Sequence, residues 1–256
     1  MKGKCYACET KALKPLISIK PEVNYLYCAF CSHIQKDSKI PVIMRKAPTS
    51  ILDISKFIND NRFDFIDADT PHYFTLKSYA IMLKRSGFDI QSITRSGDYL
   101  DIVAKEGNSL DFKLKELKDL LEVESESKVG SYSKIKEAAD FYLHNLNMTF
   151  KYLEESHKRV VVYGVSAWIV NMISHAKDLG HRVNIQYAVD EDPDIQYKEH
   201  NGLNLRVESP GALRSEAYLM ILSSDPVEDL YSKFTVSGGS FEIVHYYPHF
   251  GTVVPR

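Results

Sequence analysis

Four cysteines fall in two pairs, Cys5-x-x-Cys8 and Cys28-x-x-Cys31, separated by nineteen residues. A thiolate is a strong ligand for a borderline-soft cation, and each C-x-x-C turn can aim two of them at one tetrahedral point. The spacer is long enough for a short hairpin that brings the second pair back to the first. The pattern points to one zinc ion held by Cys5, Cys8, Cys28 and Cys31. The competing readings are two disulfides or four buried thiols. The start, MKGKCYACETK, has no apolar leader, so a reducing, cytoplasmic location is the default expectation, and that disfavours disulfides. Four thiolates leave no position open for water or substrate, so such an ion is structural rather than catalytic. Its binding energy would stabilise a segment too small to fold by hydrophobic burial alone.

A second candidate lies in the last hundred residues, where Arg159–Tyr163 reads as a buried strand feeding the turn Gly164–Ser166 and a helix over 167–179. Backbone N–H groups freed at such a turn make an anion site, and an acidic residue ending the next strand is where sheets of this kind bind a ribose. Gly164, Val165, Ser166 and Asp190 are therefore the cofactor-binding candidates. The turn is YGVSAW with a single glycine, and a tight turn with no ligand explains it equally well. Ser166 has no evident His/Asp relay. His245 and His249, with Tyr246 and Tyr247, read as a packed strand end rather than a second metal site, and Asp190–Asp194 as a solvated acidic loop rather than a cation site.

These residues need elements to position them. The chain has 256 residues, 44% of them hydrophobic, and a formal net charge of −2, which permits more than one core and argues against disorder or general polyanion binding. No apolar run reaches the length needed to cross a bilayer, so no membrane role is expected. From Met1 to Lys46 there are nine Lys/Arg against three Asp/Glu. Stacking aromatics are few there, so an ordinary solvated face is favoured over nucleic-acid binding. Ile40–Met44 reads as a strand, 50–59 as a helix capped by Thr49 or Ser50, and 76–86 as a helix ended by Gly87. Two strands, 88–94 and 99–104, follow around a turn at 95–98. Residues 107–132 read as a polar linker with a short helix near 114–121, and 133–155 as a long amphipathic helix. Then come strands at 159–163, 183–189, 218–223 and 241–245, with a helix at 226–234 before the last. Strands alternating with helices argue for a parallel, Rossmann-like sheet.

Three stretches, in order, resemble a known family. They are YLYCAFCSHIQ, then FDFIDADTPHYFTLKSYAIMLKRSGFDI, then KRVVVYGVSAW followed by YAVDEDP and ESPGAL. The family is that of the zinc-containing SAM-dependent C-methyltransferases acting on nucleotide-linked deoxysugars. The first stretch is similar to its second cysteine pair with the Gly-His/Leu-x-Gln tail, the second to a segment near the end of its methyltransferase domain. The third is similar to its C-terminal Rossmann-like domain. The resemblance implies an α/β fold in four parts: a zinc knuckle (1–39), a reduced methyltransferase-like segment (40–106), a linker (107–132) and a Rossmann-like domain (133–256).

The departures shape the functional expectation. In the family, over a hundred residues carrying the SAM-binding core separate the knuckle from the second stretch, and here that core is missing. No Gly-x-Gly loop precedes residue 100, so SAM is not expected to bind this chain alone. Where the family carries Tyr-His-Glu-His before Tyr-Phe, this chain has Asp67, Ala68, Asp69 and Thr70. Asp69 and His72 are the remaining, weak catalytic candidates. Trp168-Ile169 replaces the Lys-Gly that follows the family's turn. The expectation is a degenerate methyltransferase relative, a pseudoenzyme in nucleotide-sugar or glycan modification that binds a nucleotide-linked sugar. Methyl transfer would need SAM held by a partner protein; self-association is the other partner expectation. The alternative is a non-catalytic scaffold reusing the fold.

Overall fold

The computed structural model describes residues 4–20, 23–37, 50–67, 69–107, 115–200, 203–215, 219–223, 241–245 and 250–253. Those residues form a mixed α/β structure with three sheets. The chain divides into two compact units, Met1–Phe141 and Tyr142–Arg256. Among the described residues no helix is long and apolar enough to cross a membrane.

The first unit opens with an antiparallel hairpin, β1 (Leu13–Lys20) and β2 (Val23–Cys28), whose register sets Leu13 opposite Cys28. That register returns the second cysteine turn to the first, and Ala29 N–H donates to Ala12 O at 3.0 Å to fasten it. Strand β3 (Ile34–Lys36) extends the sheet. A second sheet has β4 (Ser50–Leu52) on the edge of a long hairpin that is completed below.

The helix expected from residue 50 begins later, as α1 (Ile54–Asn59) after Asp53. Ile51 and Leu52 pair with a strand instead. Their helical spacing is overridden by the ladder bonds a sheet edge offers, since propensity is weak against tertiary pairing. Asp53 does not cap the helix with its side chain; its buried carboxylate accepts from Arg95 Nε at 2.8 Å.

Strand β5 (His72–Tyr73) closes the first sheet against β3. Helix α2 (Leu76–Arg85) follows Thr75, whose hydroxyl accepts from Ser78 N–H. Gly87, at φ +82°, ends the turn beyond it, a conformation in which a Cβ is costly. Strands β6 (Phe88–Ser96) and β7 (Tyr99–Glu106) form the hairpin, as their alternation suggests, turning on Gly97 at φ +60°. Helix α3 (Lys115–Glu126) then packs Leu117 into the core with α2 and β7. The segment that reads as a linker thus contributes a packed helix. All of its charged residues but Glu124 lie on the outer face, so the apolar stripe of Leu117, Leu120 and Leu121 is diluted in sequence but contiguous in space.

Helix α4 (Tyr132–Ser156) crosses the division between the units. In the second unit β8 (Arg159–Tyr163) leads to α5 (Ala167–Asp178) and β9 (Ile185–Val189). The short β10 (Glu199–His200) and β11 (Leu205–Glu208) follow, then β12 (Leu219–Ser223), β13 (Phe241–His245) and β14 (Gly251–Val253). The sheet order is β10-β11-β9-β8-β12-β13-β14. The five inner strands are parallel, and the two outermost pair antiparallel. Val160, Val161 and Val162 are buried in succession, the mark of a central parallel strand covered on both faces. From β8 the chain runs outward through β9 and β11, then returns to β12 and β13 on the other side. The order therefore reverses between β8 and β12. The strand expected at Ile40–Met44 and the helix expected at 226–234 lie outside the described residues.

Candidate metal centre and glycine turn

The two cysteine turns have the same local build. Cys5 O accepts from Glu9 N–H at 2.7 Å, and Cys28 O accepts from Ser32 N–H at 2.9 Å. Each turn closes on a residue with positive φ, Glu9 at +61° and Ser32 at +62°. This left-handed step bends the backbone around the sulfurs, at a cost for non-glycine residues. The four Sγ atoms lie within 4.8 Å of one another. Cys5 and Cys31 are 3.6 Å apart, Cys8 and Cys28 3.7 Å. Tetrahedral Zn–S bonds place sulfurs about 3.8 Å apart, so the set fits a metal such as zinc. Among the described residues it is the one group of three or more potential ligands that closes on a point.

Cys5, Cys28 and Cys31 are fully buried, in one apolar cluster with Tyr79, Ala80 and Leu83 of α2. The knuckle is therefore continuous with the first unit's core. Hydrogen bonding to Cys28, together with burial, pushes the Cys5 thiol up to about 12. The same causes push Cys31 up, while Cys28 is held down by hydrogen bonds from Cys31, Cys5 and Thr10. A bound dication favours thiolate at every position.

The tail after the second pair builds the wall of this centre. Gln35 Oε1 accepts from Tyr6 N–H at 3.0 Å, fixing the first turn. His33 is buried with Nδ1 3.5 Å from Cys5 Sγ, and desolvation pulls its imidazole down to about 3. The ring stacks on Phe74 and on His72. The sequence pattern CSHIQ signals this wall only through resemblance; the contacts arise because β3 pairs with β5.

The two weak catalytic candidates fall in different surroundings. Asp69 is exposed, on a loop whose organiser is Asp67. The Asp67 carboxylate accepts from Asp69 N–H at 2.8 Å and from the Thr70 N–H and hydroxyl at 2.6 Å. Two buried phenols, Tyr25 and Tyr73, clasp the same loop, Tyr25 donating to the Asp67 and Thr70 carbonyls. Burial pushes both phenols up, keeping them as donors. His72 is half-buried in the aromatic stack, edge-on to Tyr6.

Gly164, Val165, Ser166 and Asp190 are brought together at the carboxyl ends of β8 and β9. Gly164 sits at φ +79° with its N–H on Val189 O at 2.9 Å. Ser166 caps α5, its hydroxyl accepting from Ile169 N–H at 3.3 Å. Asp190 Oδ2 accepts from Val165 N–H at 2.7 Å, and Oδ1 accepts from Asp192 N–H at 2.8 Å. Asp190 thus clamps the turn to its own loop. In that loop Asp192 accepts from Asp194 N–H, and Tyr163 donates to Glu191. His245 lies in β13 opposite Gly251; Tyr246, Tyr247 and His249 lie outside the described residues.

Glu124 of α3 is buried, and its carboxylate accepts from Leu76 N–H at 2.8 Å, Lys77 N–H at 3.1 Å and the Ser55 hydroxyl at 3.1 Å. It caps the N-terminus of α2 from another element. Beside it a cleft of about 380 Å³ is bounded by Asp53, Arg95, Leu100 and Leu120. Desolvation raises the Glu124 carboxyl above its usual range, against the hydrogen bonds that favour its charge. Glu124 sits in a run of acidic residues, so nothing in the sequence distinguishes it from its solvated neighbours.

Compared with known proteins, the chain matches no family model and no curated protein.

Proposed function

We propose that this chain is a zinc-stabilised, methyltransferase-like protein that binds a nucleotide-linked ligand, a nucleotide-linked sugar by preference, and does not transfer a methyl group on its own. The ligand site is the carboxyl edge of a Rossmann-like second unit. The observation that carries the reading is the reversal of strand order between β8 and β12, with the Gly164 turn and the α5 N-terminus beside it. Open parallel sheets bind ligands in the crevice outside such a reversal. Asp190 follows the neighbouring strand, the position at which sheets of this kind carry an acid for a ribose. Zinc in the Cys5, Cys8, Cys28, Cys31 set has a structural role, and SAM, where it takes part, is held by a partner protein.

The clamp from Asp190 to Val165 N–H supports a second reading, a scaffold without a ligand. The amide a phosphate would use is already taken by a carboxylate. Isothermal titration of the purified chain with dTDP- and UDP-sugars and with SAM separates the two. Micromolar affinity for a nucleotide sugar, weakened by Asp190→Ala, is the expected result. Silence toward every nucleotide overturns it in favour of the scaffold, and micromolar SAM binding overturns the argument that this chain lacks its own SAM site.

A further inference from the structure

His33 lies buried against the cysteine set. Its ring is wholly buried, with Nδ1 3.5 Å from Cys5 Sγ. Its other nitrogen, Nε2, is also buried and meets no hydrogen-bond partner among the described residues. A neutral imidazole has one N–H and one bare nitrogen. A proton on Nε2 would strand a buried donor and turn the Nδ1 lone pair toward sulfur. A proton on Nδ1 faces an acceptor and leaves only a lone pair unmet. The ring is held in this aspect by its stack on Phe74, centroids 4.6 Å apart and planes 14° from parallel, and on His72 at 5.2 Å and 19°. Its main chain is fixed as well, since His33 O accepts from Cys28 N–H at 2.9 Å.

We infer that His33 is a positioning residue of the metal centre, its Nδ1–H donating to the Cys5 thiolate. The inference rests on reading the four cysteines as a metal site. Four thiolates around one dication leave a surplus of negative charge in a buried place, and a donor aimed at sulfur offsets part of it. Thr10 Oγ1 lies 3.2 Å from Cys8 Sγ and 3.5 Å from Cys28 Sγ, so the two side chains together border three of the four sulfurs.

The test on the native chain is nuclear magnetic resonance of isotope-labelled, cadmium-substituted protein. The expected result is a proton on His33 Nδ1, a bare Nε2, and scalar coupling from that proton to cadmium through Cys5 Sγ. A proton on Nε2, or one on Nδ1 uncoupled to the metal, overturns the inference. In parallel, His33→Phe keeps a stacking ring and removes the donor, while His33→Gln restores an N–H. Zinc affinity measured against a chromophoric chelator should fall about tenfold in His33→Phe and recover in part in His33→Gln. Equal affinity in native and His33→Phe protein counts against the role. A chain that takes up no cadmium or zinc at all refutes the cysteine reading instead, so the two failures are distinct.

Discussion

At the scale of single residues, charge is placed where the fold gives it several donors at once. Glu124 collects two backbone N–H groups and a hydroxyl, and Asp67 collects two N–H groups and a hydroxyl. Such carboxylates hold loops and helix ends by hydrogen bonds worth more than exposed ion pairs. For Glu124 the balance has a sign. Burial raises its folded-state carboxyl above the unfolded value, so its contribution to stability is fully present below the unfolded pKa, about 4.3. That contribution is lost as pH rises through the folded-state value. Urea unfolding of native and Glu124→Gln protein across this window should show the native chain losing stability relative to the variant with rising pH. Parallel profiles would refute the assignment. At fixed neutral pH, Glu124→Ala leaves three donors without their acceptor, at a cost of about 1–3 kcal/mol.

At the scale of elements, turns decide where chemistry can occur. The cysteine turns and the β8–α5 turn each depend on one residue in the left-handed region: Glu9, Ser32 and Gly164. Only Gly164 is a glycine. Adding a Cβ there should cost about 1–2 kcal/mol, so Gly164→Ala is expected to lower the unfolding midpoint. Glu9→Gly should act in the opposite direction. It relieves similar strain and gives up only an exposed pair with Arg85, worth about 0–1 kcal/mol. Thermal unfolding of both variants checks the contrast; a destabilised Glu9→Gly would mean that the carboxylate matters more than the backbone. The hairpin that returns the second cysteine pair was legible because its length and ends constrain it. The start of α1 was not legible, because Ile51 and Leu52 suit a helix face and a strand equally and the pairing with β7 decides.

At the scale of the whole molecule, each unit has its own core, and every cysteine belongs to the first. Because the four cysteines are continuous with the packing around α2, loss of a metal held by them should loosen more than the knuckle. After removal of metal with a strong chelator, amide hydrogen exchange is expected to quicken in β1, β2 and α2. In β8, whose valines are buried within the second unit, protection should remain. Equal loss of protection in β8 and β2 would show that the metal supports the entire chain. The expected linker is the clearest case of a whole-molecule decision. Residues 115–126 are rich in charge, yet Leu117 is buried in the cluster with α2 and β7, and the Glu124 carboxylate meets Leu76 N–H, 48 residues earlier.

Residue order alone carries the cysteine set, the hairpins and the strand–helix–strand succession β8–α5–β9. These follow from spacing and periodicity, which act over a few residues and are carried by side-chain type alone. Tertiary structure decided the roles of His33, Glu124 and Asp190. A buried histidine beside sulfur, an acid capping a distant helix and a carboxylate closing a glycine turn are products of pairing between remote segments. Their chemistry depends on desolvation and on which donor lies within about 3 Å, and residue order alone does not carry that information.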